Sequence, residues 1–212
     1  MSNGVDPDYF SPAPGRPSPF QVSPSGEALI PVVFTGAMDY WPNIDAVTWF
    51  ASDMLPKLLV LWPQLRFYIV GRSPTAAVQA LASDVVTVTG TVPDVRPYLQ
   101  HAAVVVAPLR VARGIQNKVL EAMAMGRPVV TSDACAEAID ARVGEALISA
   151  TTSDDFVREI DALLKAPVQA AAIGMSGRSC VVNNYSWAAH LSGIDRYLDG
   201  GLPDPKSALE KA

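Results

Sequence analysis

Apolar positions along the chain fall into two alternating patterns: short β-branched runs, and longer stretches in which they recur every three or four places. The runs predict strands at Ala28 to Phe34, Leu65 to Val70, Val85 to Thr89, Ala103 to Ala107, Val129 to Thr131 and Ala146 to Ile148. Pro31 restricts the first of these, because a residue without an N–H belongs at a strand's first positions or on a sheet edge.

The longer stretches predict helices between them. Asn43 is placed to cap the first, with Ile44, Val47, Phe50, Leu55, Leu58 and Leu59 as its apolar positions. Pro56 inside that pattern predicts a kink or a split. Further helices are expected at Pro74 to Leu81, Asp94 to His101, from about Asn117 past Glu121, at Ala134 to Ala141, and at Val168 to Asn183. Ser153 is expected to cap Asp154 to Lys165, with acids in the first turn. A last helix from Ser186 would show Trp187, Leu191, Ile194 and Leu198 on one face. Short apolar strands alternating with helices predict an α/β fold, a doubly wound, Rossmann-like parallel sheet.

Residues 1–27 break both patterns. Seven prolines fall between Pro7 and Pro31, mixed with Ser, Gly and Asp, which predicts a linker. The organised domain is expected over residues 28–200 and a frayed tail over 201–212.

Composition narrows the class. An apolar fraction of 50% and a charged fraction of 17% suit a large packed core. A net charge of −5 without basic runs argues against a nucleic-acid partner. Cys135 and Cys180 are too few for a disulfide framework or a metal site. No signal-like start and no apolar run of roughly 20 residues is present, so a cytoplasmic protein is expected.

In a doubly wound sheet, ligands bind beyond the carboxyl ends of the strands. The loops there carry Gly36 to Asn43, Gly71-Arg72-Ser73, Gly90 to Pro93, Arg110 to Lys118, and Ser132-Asp133. Arg72, Arg110, Arg113 and Lys118 are expected to converge as an anion site at the start of a helix. Glu121 stands alone among Val119, Leu120, Ala122, Met123, Ala124 and Met125. Such an acid needs a partner. It either accepts hydrogen bonds from a ligand diol or pairs with Lys118 or Arg127 along the helix. Bland readings stand beside the others: Arg72 as a solvated loop residue, Asp39 as a turn-former, His101 and His190 as packing or surface residues. The tryptophans read as core, with Tyr40-Trp41 as an alternative ligand contact. The G-x-G-x-x-G and G-x-x-x-x-G-K-[ST] phosphate loops are absent, as is a nucleophile elbow, which lowers NAD binding and P-loop hydrolysis as readings.

The segment Asn117-Lys-Val-Leu-Glu-Ala-Met-Ala-Met-Gly-Arg-Pro-Val-Val130 resembles the signature of the group 1 family of retaining, nucleotide-sugar-dependent glycosyltransferases with the GT-B fold. Val32-Val-Phe-Thr-Gly36, Phe67-Tyr-Ile-Val-Gly71 and Val88-Thr-Gly-Thr-Val-Pro-Asp94 extend the match. Ser2-Asn-Gly-Val-Asp-Pro-Asp-Tyr-Phe10 is similar to the family's junction between acceptor and donor domains. Gly-Ala-Met-Asp after the first strand and Arg113-Gly-Ile-Gln-Asn-Lys118 are most similar to sugar transferases of exosortase and exopolysaccharide clusters.

The resemblance implies the carboxyl-terminal, donor-binding half of a GT-B enzyme that uses a UDP- or GDP-sugar, with no cofactor and no metal. It implies Glu121 on the ribose hydroxyls, Gly114, Ile115 and Gln116 as a diphosphate cradle, and Thr91 and Val92 beside the base. Two positions depart from the pattern. Arg113 stands where the family's first Glu would be, and the first loop reads Gly36-Ala-Met-Asp without the family's Arg and Lys. Arg113 and Lys118, with Arg72, are expected to supply those cations, and Glu121, Lys118 and Arg113 to act in catalysis. The acceptor domain is expected to lie outside this chain, which alone would bind nucleotide weakly and turn over nothing. A lipid-linked acceptor would bring the enzyme to the inner face of the membrane. The competing readings are half of a GT-B sugar-nucleotide 2-epimerase, and a non-catalytic nucleotide-binding or interaction module.

Overall fold

The structure, a computed structural model, describes residues 4–20 and 28–186. Six parallel strands form one sheet in the order β3-β2-β1-β4-β5-β6. They are β1 (Ile30–Thr35), β2 (Leu65–Val70), β3 (Val86–Gly90), β4 (Val104–Ala107), β5 (Val129–Ser132) and β6 (Ile148–Ala150). The chain runs outward from β1 through β2 to β3, then returns to the other side of β1 and runs outward again. The reversal lies between β1 and β4, and there the connecting loops diverge and leave a crevice.

Strand alternation sorts the core into two layers. Val32, Phe34, Phe67, Ile69, Val104 and Val106 face one side. There they meet Ala46, Val47 and Phe50 of α1 (Trp41–Trp49) and its continuation, Leu58 of α2 (Leu55–Leu61), and Phe156 and Ile160 of α7 (Ser153–Lys165). Val33, Tyr68, Val70, Val105 and Ala107 face the other side. They pack on Leu99 of α4 (Arg96–His101), on Leu120 and Met123 of α5 (Asn117–Ala124), and on Val181 of α8 (Pro167–Asn184). The short helices α3 (Ala76–Gln79) and α6 (Asp133–Glu137) complete the set. Glycines let α8 approach: a Cβ on Gly174 would lie 2.2 Å from the Gly126 carbonyl oxygen.

Pro31 is the second residue of a central strand, and the ladder with β4 begins after it, at Val32–Val104. No ladder hydrogen bond is therefore lost to it. The break expected at Pro56 is a π-helical stretch, Phe50–Met54, in which the Leu55 amide reaches back to the Phe50 carbonyl. Regular continuation from Asn43, Ala46, Val47 and Phe50 would bury positions 53 and 57. Asp53 and Lys57 are exposed, and Met54, Leu55 and Leu58 are buried one place later.

Several local expectations are corrected. Asn43 does not cap α1: the helix begins at Trp41, with Pro42 in its first turn, and Asn43 is buried inside it. Thr152, not Ser153, caps α7, in a reciprocal box with Asp155. The last strand lies two residues later than expected. The helix expected from Ser186 and the tail at 201–212 fall outside the described residues.

The segment expected as a linker packs, over residues 4–20, against the domain as a strap. Val5 is buried and bridges to Ser186. Gln100 accepts from the Ala13 amide at 3.0 Å and donates to its carbonyl at 2.9 Å. His101 Nε2 bonds the Arg16 carbonyl at 2.8 Å. Arg178 donates to the Phe10 carbonyl at 3.1 Å and to Ser11 Oγ at 3.0 Å, and also reaches the Ala124 carbonyl. The Phe20 ring packs on Tyr68 at 4.5 Å.

Candidate nucleotide-binding cleft

The crevice at the reversal point is a cleft of about 580 Å³. Its floor is the carboxyl end of β1 and the loops after β1 and β2. A Cβ on Gly71 would sit 1.6 Å from the Gly36 carbonyl oxygen, so the two loop backbones touch only because glycine occupies position 71. Hydrogen bonds from the Gly36 amide to Val70 (3.0 Å) and from the Met38 amide to Arg72 (2.8 Å) hold them together. Thr35 is buried on this floor, and its hydroxyl has no hydrogen-bond partner among the described residues.

The start of α5 forms the opposite wall. Gly114 turns the loop with φ +64°, and Gln116 precedes the helix in an extended conformation. The Gln116 side chain folds back and donates to the Arg113 and Gly114 carbonyls, both at 3.3 Å. The amides of Asn117 and Lys118, in the first turn, have no intrahelical acceptor. With the helix dipole they give this wall positive potential. Ile115 to Lys118 and Glu121 all border the cleft.

Lys118 and Glu121 lie three positions apart on one face of α5 without pairing. Lys118 Nζ donates to Asn43 Oδ1 and lies 4.2 Å above the Phe34 ring centroid. Burial brings its pKa down to about 7, against the opposing pull of Cys135 and Glu121. Burial pushes the Glu121 carboxyl up, and the Lys118 charge acts in the other direction. The Glu121 carboxylate has no hydrogen bond or ion pair among the described residues, so it is not paired with Lys118 or Arg127, although the Lys118 charge acts on it at longer range. Its carboxylate is left to the cleft.

The structure brings together Gly36, Arg72, Thr91, Val92, Ile115, Gln116, Lys118 and Glu121 around one space. It does not bring in Arg113 and Gly114, which lie outside the lining. Arg113 is exposed on the turn, with its carbonyl held by Gln116. The expected convergence of four cations is also corrected. Asp45 of α1 captures Arg110 in a two-pronged ion pair that raises its pKa further, and the guanidinium lies 5.2 Å over Trp49. Arg72 borders the cleft but is exposed, 4.0 Å from Asp39. Lys118 is the cation that the fold commits to the site. Among the described residues, no three His, Cys, Asp or Glu side chains are grouped to hold a metal ion.

Sequence reasoning missed Thr35, Asn43 and Asn117. Asn43 had a signal: it is a polar residue in register with Ala46, Val47 and Phe50 on the buried face of α1. An amide there must find partners.

A parallel sheet with its cleft at the reversal point, a glycine-backed floor and a helix start as one wall defines a Rossmann-like α/β domain. The chain belongs to the family of glycosyl transferases group 1, whose model matches residues 30–166. A search of the curated proteins found no match. Among solved structures, HepE from Anabaena, crystallised with UDP and glucose, superposes with a TM-score of 0.72 at 16% identity over 94% of this chain and 56% of that one. Sucrose-phosphate synthase from Thermosynechococcus elongatus gives 0.69 at 21% identity, over 93% and 52%. The C-terminal domain of the group 1 family protein LpcC from Francisella tularensis gives 0.66 at 18% identity, over 87% of this chain and 100% of that fragment. The chain therefore spans about half the length of the first two structures. Among the described residues no helix is long and apolar enough to cross a membrane.

Proposed function

We propose that this chain is the donor-binding half of a retaining glycosyltransferase that takes a nucleoside-diphosphate sugar, UDP- or GDP-linked. The observation that carries the proposal is the unpaired Glu121 carboxylate beside the Lys118 ammonium on the wall of one cleft, in a member of the group 1 family. Glu121 accepts hydrogen bonds from the ribose diol. Lys118 and the first amides of α5 face the diphosphate, and Thr91 and Val92 border the base.

In the whole enzyme the sugar–phosphate bond breaks as the acceptor hydroxyl approaches from the same face, which retains the anomeric configuration. The departing diphosphate takes the acceptor's proton. The contribution of this half is electrostatic: a preset cation and a helix start neutralise charge that grows on the leaving group. Glycan or exopolysaccharide assembly on a lipid-linked acceptor, at the cytoplasmic face of a membrane, is the setting that fits the sequence resemblance.

Calorimetric titration of the chain with UDP and GDP tests the reading. One nucleotide binds, and Glu121→Ala weakens it by about tenfold or more, equivalent to about 1.4 kcal/mol or more. Heat with neither nucleotide would favour a non-catalytic interaction module. Sugar transfer by this chain alone at enzyme-like rates would overturn its assignment as one half of the enzyme.

A further inference from the structure

We infer that Asn43 is a positioning residue for the diphosphate end of the cleft: its neutral amide fixes the Lys118 ammonium against the loop after β1 without cancelling its charge. The inference rests on the donor-binding reading above. Asn43 is only 5% exposed, and both ends of its amide are used. Nδ2 donates to the Ala37 carbonyl at 2.8 Å, and Oδ1 accepts from Lys118 Nζ. One side chain thus joins the first loop to the site's cation, across 75 residues of sequence.

The loop backbone is pressed against both groups. A Cβ on Gly36 would lie 2.7 Å from Asn43 Nδ2 and 3.0 Å from Lys118 Nζ. Around the ammonium, β1 contributes the Phe34 ring, α5 contributes Glu121, α6 contributes Cys135 and α1 contributes Asn43. No carboxylate lies within ion-pair distance of it among the described residues. An aspartate at 43 would hold the lysine equally well but would offset its charge and repel a diphosphate. An amide holds it without setting a negative charge beside it. This accounts for a first loop, Gly36-Ala-Met-Asp, that needs no basic residue of its own.

The test is UDP affinity of the 212-residue chain from pH 6 to 9. An anion binds the ammonium form. That form is lost from the free protein as pH rises through about 7, so affinity falls above this point. The fall is up to about tenfold per pH unit. The Lys118→Met variant reports the nucleotide's own titration and supplies the baseline. Asn43→Asp raises the midpoint by about one pH unit or more, because a carboxylate beside an ammonium favours its charged form, and it weakens binding at pH 6 by roughly tenfold. Asn43→Ser, too short to span both partners, moves the midpoint down. A purely structural asparagine would lower affinity equally at every pH. Unchanged midpoints in both variants, with UDP still bound, would overturn the positioning role and leave the donor site standing. Absence of UDP and GDP binding by the wild-type chain would remove the donor site itself, and the inference with it.

Discussion

Glu121 carries a cost of burial that the Lys118 charge offsets only in part. Its carboxyl is partly buried, has no hydrogen-bond donor among the described residues, and holds its proton more tightly in the folded chain than in the unfolded one. For a group whose folded pKa is raised, the stabilising contribution is complete below the unfolded value near 4.5 and is lost as pH rises through the folded value. Glu121→Gln is therefore expected to melt above the wild-type chain at pH 7.5 and together with it at pH 4, in paired thermal scans. Equal melting temperatures at both pH values would mean that the carboxylate is solvated. A side chain that lowers stability where it lowers free energy of binding is the expected trade at a site.

Among the elements, the decisive contacts are backbone against backbone. Gly71 lets the loops after β1 and β2 meet, and Gly174 lets α8 rest on the turn at Gly126. Gly71→Ala and Gly174→Ala should each cost roughly 3 kcal/mol or more in denaturant unfolding, since main chain would have to move. Gly114→Ala, where a Cβ meets nothing within 4 Å, should cost only the left-handed conformation. That is about 1–2 kcal/mol. These same elements show what the sequence made legible. The β-branched runs identified five strands, the sixth was placed two residues early, and alternation with helices identified the sheet, because period and burial are local properties. The cap of α7 was missed by one residue, because Thr152 and Ser153 offer the same chemistry; that of α1 was missed by three, because the helix starts at Trp41-Pro42 with no side-chain cap. The cleft was legible where a helix start and a lone acid mark it. The partners of Asn43 and Arg110 were not, because they lie 75 and 65 residues away and leave no local trace.

At the scale of the molecule, residues 4–20 change the outline of the domain. Proline-rich composition is compatible with a tether, yet Gln100, His101, Arg178 and the aromatic contacts of Phe20 fasten this segment to α4, α8 and β2. Proline also lowers the entropy that such fastening must overcome. Arg178→Ala removes the donor to Phe10, Ser11 and Ala124 together. It should lower stability by about 2 kcal/mol and the melting temperature by about 4–8 °C. The Val5 amide, bonded to the Tyr185 carbonyl at 2.9 Å, should then exchange faster with deuterium than amides of β1. Unchanged exchange at Val5 would show the strap to be held by its apolar contacts alone. The π-helical stretch has its own reach across the molecule. It holds one residue more than a regular helix needs, and that residue sets the rotation of α1 relative to α2. Loss of one residue between Phe50 and Met54 would restore regular winding and leave both buried faces inward. Loss of two would turn Asn43 away from Lys118 while the hydrophobic runs still read correctly. A deletion of one residue in this helix is thus tolerated where a deletion of two is not.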